Sequence, residues 1–141
     1  MARIEHIAIF ARDNLQLADF YKSVFGMQEV FRQPAGPNGD RTAVYLTDGQ
    51  INLALLPAAP NGAEGLHHFG FHVDDVSQTA GAAVEAGARH GRSEVPQDGR
   101  FNEAFILDPV GARVDLSSKG WATEPMDAAT AAARGGSVGE R

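Results

Sequence analysis

Apolar residues alternate with others over residues 3–10, RIEHIAIF, a two-residue period rich in β-branched isoleucine that predicts a strand. Ile7 and Ile9 fall on one face, and Ile4, His6, Ala8 and Phe10 on the other. The period then changes. Leu17, Phe20, Tyr21, Val24 and Phe25 recur at helical spacing, behind Asp13 or Asn14 as a cap and ahead of Gly26 as a left-handed stop. Strand-like pieces follow at 27–32, 42–46 and 51–56, separated by the turn sequences PAGPNGD and TDG. The order is β, α, β, β, β, and a stretch rich in Pro, Gly and Ala at 57–65 reads as a linker.

The same order then recurs. Residues 66–73, LHHFGFHV, predict a strand, Asp75 caps a helix over 76–86, and Gly87 closes it. A weaker strand near 89–95 and firmer ones at 102–107 and 112–117 complete the set. His6 and His68 lie 62 residues apart, as do Asp13 and Asp75, and Gly49 and Gly111. Gly26 and Gly87 lie 61 apart, and Asn52 and Asp115 lie 63 apart. Five landmarks in the same element order indicate internal duplication. The expected fold is therefore α+β, two tandem βαβββ modules in one domain spanning 1–118. Module one is 1–56 and module two is 66–118. Residues 119–141 form a C-terminal tail, helical near 126–134 and disordered at its end. The linker permits the modules to pair within one chain or across two.

The chemistry comes from one face of this arrangement. Assigning Ile7, Ile9, Phe69, Phe71, Val73, Val114 and Leu116 to the helix side leaves His6, His68, Gly70, His72, Arg113, Asp115 and Ser117 on the other. If the modules pair about a pseudo-twofold axis, His6, His68 and Asp115 converge in one cup. Two imidazoles and a carboxylate with open positions are a recurring divalent-metal set. A lone strand histidine is usually structural, and the duplication is what raises this pair above that. Around them, His72 is a pocket-wall residue or acid/base group, and His67 points to the opposite face. Asn52 is a fourth ligand, a substrate contact or neither, with the pocket wall favoured. Glu103 is a general base or a surface ion-pair member, and Arg100 stands beside it. Phe10, Phe101 and Phe105 line a pocket or belong to the core.

Composition narrows the partners. Of 141 residues, 43% are apolar and 21% charged, ordinary for a globular chain, and the net charge is -6. An acidic chain without a Lys/Arg run is unsuited to nucleic acid or an anionic membrane. The absence of cysteine excludes disulfides, thiolate sites and a Cys nucleophile. The N-terminal segment lacks the uninterrupted apolar run of a signal peptide, so a cytoplasmic location is expected.

The segments HIAIFARDNLQLADFYKSVFGM, HHFGFHVDDV and DPVGARVDLS resemble the vicinal oxygen chelate superfamily. It includes glyoxalase I, extradiol dioxygenases, fosfomycin-resistance transferases, methylmalonyl-CoA epimerase and bleomycin-binding proteins. The likeness covers roughly residues 3–118. It implies a sheet curled around a metal cup, with His6, His68 and Asp115 at the family's ligand positions, and it implies a homodimer. Asp115 stands where the family more often has Glu, and Asn52 where glyoxalase-type members carry Glu or Gln. The expected function is a divalent-metal enzyme acting on a small oxygen-chelating molecule. Fe2+ dioxygenase chemistry is favoured by the three-ligand count. A lyase, isomerase or transferase using Mn2+, Ni2+, Zn2+ or Mg2+ is the alternative, and a metal-free bleomycin-type binding protein is the rival from another class.

Overall fold

The computed structural model describes residues 1–35, 41–92 and 103–127. The elements run β1 (Arg3–Ala11), α1 (Asn14–Phe25), β2 (Gln28–Gln33), β3 (Ala43–Thr47), β4 (Asn52–Pro57), β5 (Gly65–His72), α2 (Val76–Glu85), β6 (Arg89–Arg92), β7 (Ala104–Leu107) and β8 (Arg113–Ser117). This is βαβββ twice. The eight strands form one mixed sheet in the order β2-β3-β4-β1-β5-β8-β7-β6, symmetric about the antiparallel β1–β5 pair. The two modules thus join within one chain, the question the linker had left open.

Local chemistry accounts for the ends of the helices. The Asp13 carboxylate accepts from the Gln16 amide at 3.0 Å, and Asp75 does the same for Gln78 at 2.8 Å. Asn14 is the first helical residue instead of the cap, and its side-chain amide donates to the Thr42 and Leu55 carbonyls. The helix stripe is wider than its footprint. Leu17, Ala18 and Tyr21 pack against Val44, Leu46, Leu53 and Leu55, whereas Phe20, Val24 and Phe25 remain exposed.

Two bulges shape the centre of the sheet. Along β1–β5, His6 opposes Gly70 but Ile4 opposes Phe71, so Glu5 is the extra residue on β1. Ala8 opposes His68 but Ile9 opposes Leu66, so His67 is the extra residue on β5. A bulge turns two successive side chains toward one face and bends the strand. Glu5 and His67 stand 62 residues apart, so each bulge is a copy of the other.

The expected tail begins inside the core. After β8 the chain turns at Gly120 (φ 75°) and buries Trp121 and Ala122 against Ala8, Val30, Tyr45 and Ala54. The Asn52 side-chain amide donates to the Ala122 carbonyl at 2.7 Å, and the Met126 amide to the Val30 carbonyl at 3.0 Å. Residues 128–134 of the expected tail helix, with 93–95, Arg100 and Phe101, lie outside the described residues.

Candidate metal centre

Three strands supply the polar centre. His6 comes from β1, His68 from β5 and Asp115 from β8, neighbours in the sheet. One donor atom of each lies within 4.8 Å of the others, a cluster able to hold a metal ion. All three side chains are buried. His68 Nε2 is 3.5 Å from Asp115 Oδ2. The rings of His6 and His68 meet edge to face, 5.3 Å between centroids.

His6 is the strongest sign of what the cluster is for. It is 1% exposed, and neither ring nitrogen has a hydrogen-bond partner. Buried polar atoms left in that state are rare and costly. Burial holds its pKa down at about 3, helped by the nearby charges of His68 and Arg113. Burial likewise lowers His68 to about 4, against the opposing pull of Asp115. Both imidazoles are therefore neutral near pH 7 and offer lone pairs, as a metal requires. The donor set fits a divalent ion. When bound there, such an ion would polarise or acidify a substrate oxygen.

The surroundings fix both rings. Gly70, opposite His6, has no side chain because a Cβ there would sit 2.7 Å from His6 Nε2 and closer still to Cε1 and Nδ1. Trp121 stacks on the other side of the His6 ring, 3.9 Å between centroids at 22°. Contrary to expectation, His67 does not face away. The bulge turns it toward the centre, and its Nδ1 lies 2.7 Å from Nδ1 of His68. For His68 Nε2 to present a lone pair, its Nδ1 must carry the proton, and His67 is placed to accept it.

A cavity of about 200 Å3 opens beside the cluster. Ala8, Phe10, Tyr45, Ala54 and Leu56 make its apolar wall; His67, His68, Glu103, Arg113 and Asp115 make its polar wall. Glu103 is 5% exposed, its Oε1 accepts from Trp121 Nε1 at 2.8 Å, and its Oε2 lies 3.6 Å from His6 Nε2. It is thus a cavity carboxylate, not a surface one. Burial, followed by the charge of Glu103, raises the Tyr45 pKa, so its phenol stays protonated. Phe10 meets His67 edge to face at 4.8 Å.

Two expected pocket residues stand elsewhere. His72 is four residues from His68, about 13 Å along an extended strand. It lies at the far end of β5, its Nε2 is 3.1 Å from the Ser118 carbonyl oxygen, and it does not line the cavity. Asn52 is fully buried beside His6 in the parallel β1–β4 pair and also does not line it. Trp121 was missed by sequence reasoning, and His67 was assigned to the opposite face. The 62-residue offset between Glu5 and His67 and the lone Trp in an otherwise small, polar tail were the available signals.

Comparisons with known proteins agree with this architecture. A hypothetical protein from Bacillus halodurans superposes with a TM-score of 0.66 at 18% identity, covering 82% of this chain and 92% of that one. A variant of Streptomyces coelicolor methylmalonyl-CoA epimerase in complex with 2-nitronate-propionyl-CoA gives 0.59 at 24%, covering 81% and 92%. A mutant 4-hydroxymandelate synthase from Streptomyces coelicolor gives 0.67 at 20%, covering 87% of this chain but 40% of that one. Such identities speak for the fold alone. No curated protein matches the sequence. The family profile described as Glyoxalase/Bleomycin resistance protein/Dioxygenase superfamily matches residues 3–116. With that match over most of its length and the doubled βαβββ sheet, the chain belongs to the Glyoxalase/Bleomycin resistance protein/Dioxygenase superfamily.

Proposed function

We propose that this protein is a divalent-metal-dependent enzyme acting on a small substrate that chelates through neighbouring oxygens, with His6, His68 and Asp115 as metal ligands. The observation that carries the reading is the buried cluster of two neutral imidazoles and a carboxylate, one imidazole lacking any hydrogen bond. A metal-free binding protein would gain nothing from that arrangement and would bear its desolvation cost.

Within this reading, Fe2+-dependent dioxygenation leads. Two His and one carboxylate leave positions for a bidentate substrate and oxygen. Glu103 is the proton carrier, since it lines the cavity but stays outside the three-ligand cluster. Phe10, Leu56 and Tyr45 hold the body of the substrate away from water. A second reading, isomerase or lyase chemistry on a carbon acid, is favoured by the same Glu103. A fixed buried carboxylate beside a Lewis-acid site also suits proton abstraction next to a carbonyl.

The test is metal content per chain after anaerobic reconstitution with Fe2+, Mn2+, Ni2+ or Zn2+. It is made on wild type and on His6→Ala, His68→Ala and Asp115→Ala. One ion per chain, lost in each folded variant, is expected. Oxygen uptake with catecholic substrates then points to the leading reading, and solvent deuterium incorporation without oxygen uptake to the second. Folded wild type that takes up none of the four ions refutes the proposal.

A further inference from the structure

Asp115 reaches the cluster already held. Arg113, two residues before it on β8, donates from Nε to Oδ1 at 2.6 Å and from Nη2 to Oδ2 at 3.0 Å. Two parallel bonds from one guanidinium edge fix the plane of a carboxylate as well as its position. A solvated ion pair of near neighbours is ordinarily loose and contributes little. This pair is neither solvated nor loose. Asp115 is 4% exposed, and the guanidinium lies over the Phe105 ring, 4.2 Å from its centroid. Phe105 stands opposite Asp115 in the β7–β8 pair. Behind it on β6 comes Gly91, the extra residue between the pairs His90–Ile106 and Arg92–Phe105. A Cβ at Gly91 would run into the Phe105 ring. Gly91, Phe105, Arg113 and Asp115 thus form one line of contacts from the sheet edge to the cluster.

The fork decides which lone pairs of Asp115 are left. Two parallel donors occupy the notch between the carboxylate oxygens, on the side away from the carboxyl carbon. An ion gripped by both oxygens needs that same notch. Fork and chelate therefore exclude each other, and what remains is the outer flank of an oxygen. Oδ2 is the oxygen that lies 3.5 Å from His68 Nε2, so it is the one turned toward the other ligands.

We propose that Arg113 is a positioning residue that makes Asp115 a one-oxygen ligand. Its fork retains Oδ1, and Oδ2 alone meets the ion. A chelating carboxylate takes two coordination positions, whereas one held in this way takes a single position and leaves the other to the substrate. This inference rests on the metal reading above and deepens it, since a substrate that chelates through neighbouring oxygens needs two open positions at once. Phe105 and Gly91 act one step further back, by holding the guanidinium in its plane.

The test is a crystal structure of the full chain, loaded anaerobically with whichever of Fe2+, Mn2+, Ni2+ or Zn2+ wild type retains. The ion is located by its anomalous scattering, and its content per chain is measured separately. In wild type, Oδ2 is expected within bonding range of the ion and Oδ1 still on Arg113 Nε. Arg113→Met removes the fork and a cation beside the ion, so it should keep the ion and let Oδ1 swing onto it. Arg113→Lys keeps the charge but not the two-pronged edge, and should behave like Arg113→Met. Three results overturn the proposal: both oxygens on the ion in wild type, Arg113 turned away from Asp115 in loaded wild type, or single-oxygen binding that persists in either variant. So does loss of the ion from folded Arg113→Met, which would make Arg113 necessary for the site to form at all. Loaded wild type can refute the proposal by itself, so a variant that fails to fold does not shield it. Folded wild type that takes up none of the four ions fails the metal reading, whereas ion-loaded wild type with a chelating Asp115 fails only this inference.

Discussion

A methyl group at Gly70 would lie within 2.7 Å of His6 Nε2, and the stacked Trp121 closes the other side of the ring. The imidazole therefore has no free space to yield to a side chain at Gly70. Gly70→Ala is expected to displace His6 and abolish stoichiometric metal uptake while far-UV circular dichroism stays native. Gly81, in the middle of α2, is the matched control. A Cβ there meets nothing within 4 Å, so Gly81→Ala should leave metal content intact and raise stability by about 0.5–1 kcal/mol through lower unfolded-state entropy. If Gly70→Ala bound metal like wild type, His6 would not be held as described. His6, His68 and Asp115 were legible from the chain because strand alternation places each on a face and the repeat ties the faces together. His67 was not, since one bulged residue reverses the alternation and leaves no mark in apolar spacing. His72 was misplaced for a related reason. Alternation gives the face of a strand but not the distance along it, and four residues carry His72 out of the cavity.

Among the elements, the segment after β8 differs most from its sequence reading. Its composition of small and polar residues gives no period, yet Gly120 turns it back and Trp121 becomes part of both core and site. Its backbone is anchored by Asn52 and Val30, which come from module one. A segment without a pattern of its own is thus ordered by hydrogen-bond groups that β2 and β4 expose, and only tertiary structure reveals those. Replacing a buried Trp by Ala costs about 3–5 kcal/mol, so Trp121→Ala should lower the urea midpoint by a corresponding amount. Trp121→Phe retains a ring over His6 but removes the Nε1–H donated to the Glu103 carboxylate, a loss of about 1.5–3 kcal/mol. Equal losses in the two variants would mean that the hydrogen bond, not the stacked ring, anchors the segment. The strands themselves were well marked, each within a residue or two where described, because apolar alternation and turn residues agree along both modules.

For the molecule as a whole, the site makes stability depend on pH in a defined direction. His6 and His68 have folded pKa values of about 3 and 4, both below the ordinary 6.5 that the unfolded chain shows. Between those limits the unfolded state binds more protons than the folded one, so acid favours unfolding. The apoprotein should hold its full stability above pH 6.5 and lose it as the pH falls toward 4, with His6 alone extending the loss toward 3. Each histidine contributes up to about 1.4 kcal/mol per pH unit inside its window. Glu29, held down at about 2 chiefly by its hydrogen bond to Arg32, acts only below the ordinary carboxylate range and adds nothing to the fall between pH 6.5 and 5. Urea unfolding at pH 7, 6 and 5 should therefore show a falling midpoint. His6→Asn and His68→Asn together should flatten that fall, since neither replacement titrates. Metal must compete with protons for the same nitrogens. Its stabilisation, RT ln(1 + [M]/Kd), should accordingly hold from pH 6.5 to 5 and shrink only below pH 5, where His68 begins to protonate in the folded state. A midpoint unchanged from pH 7 to 5 in the metal-free protein would show that these imidazoles are solvated enough to titrate normally. The argument for a preformed pair of neutral ligands would then fail along with it.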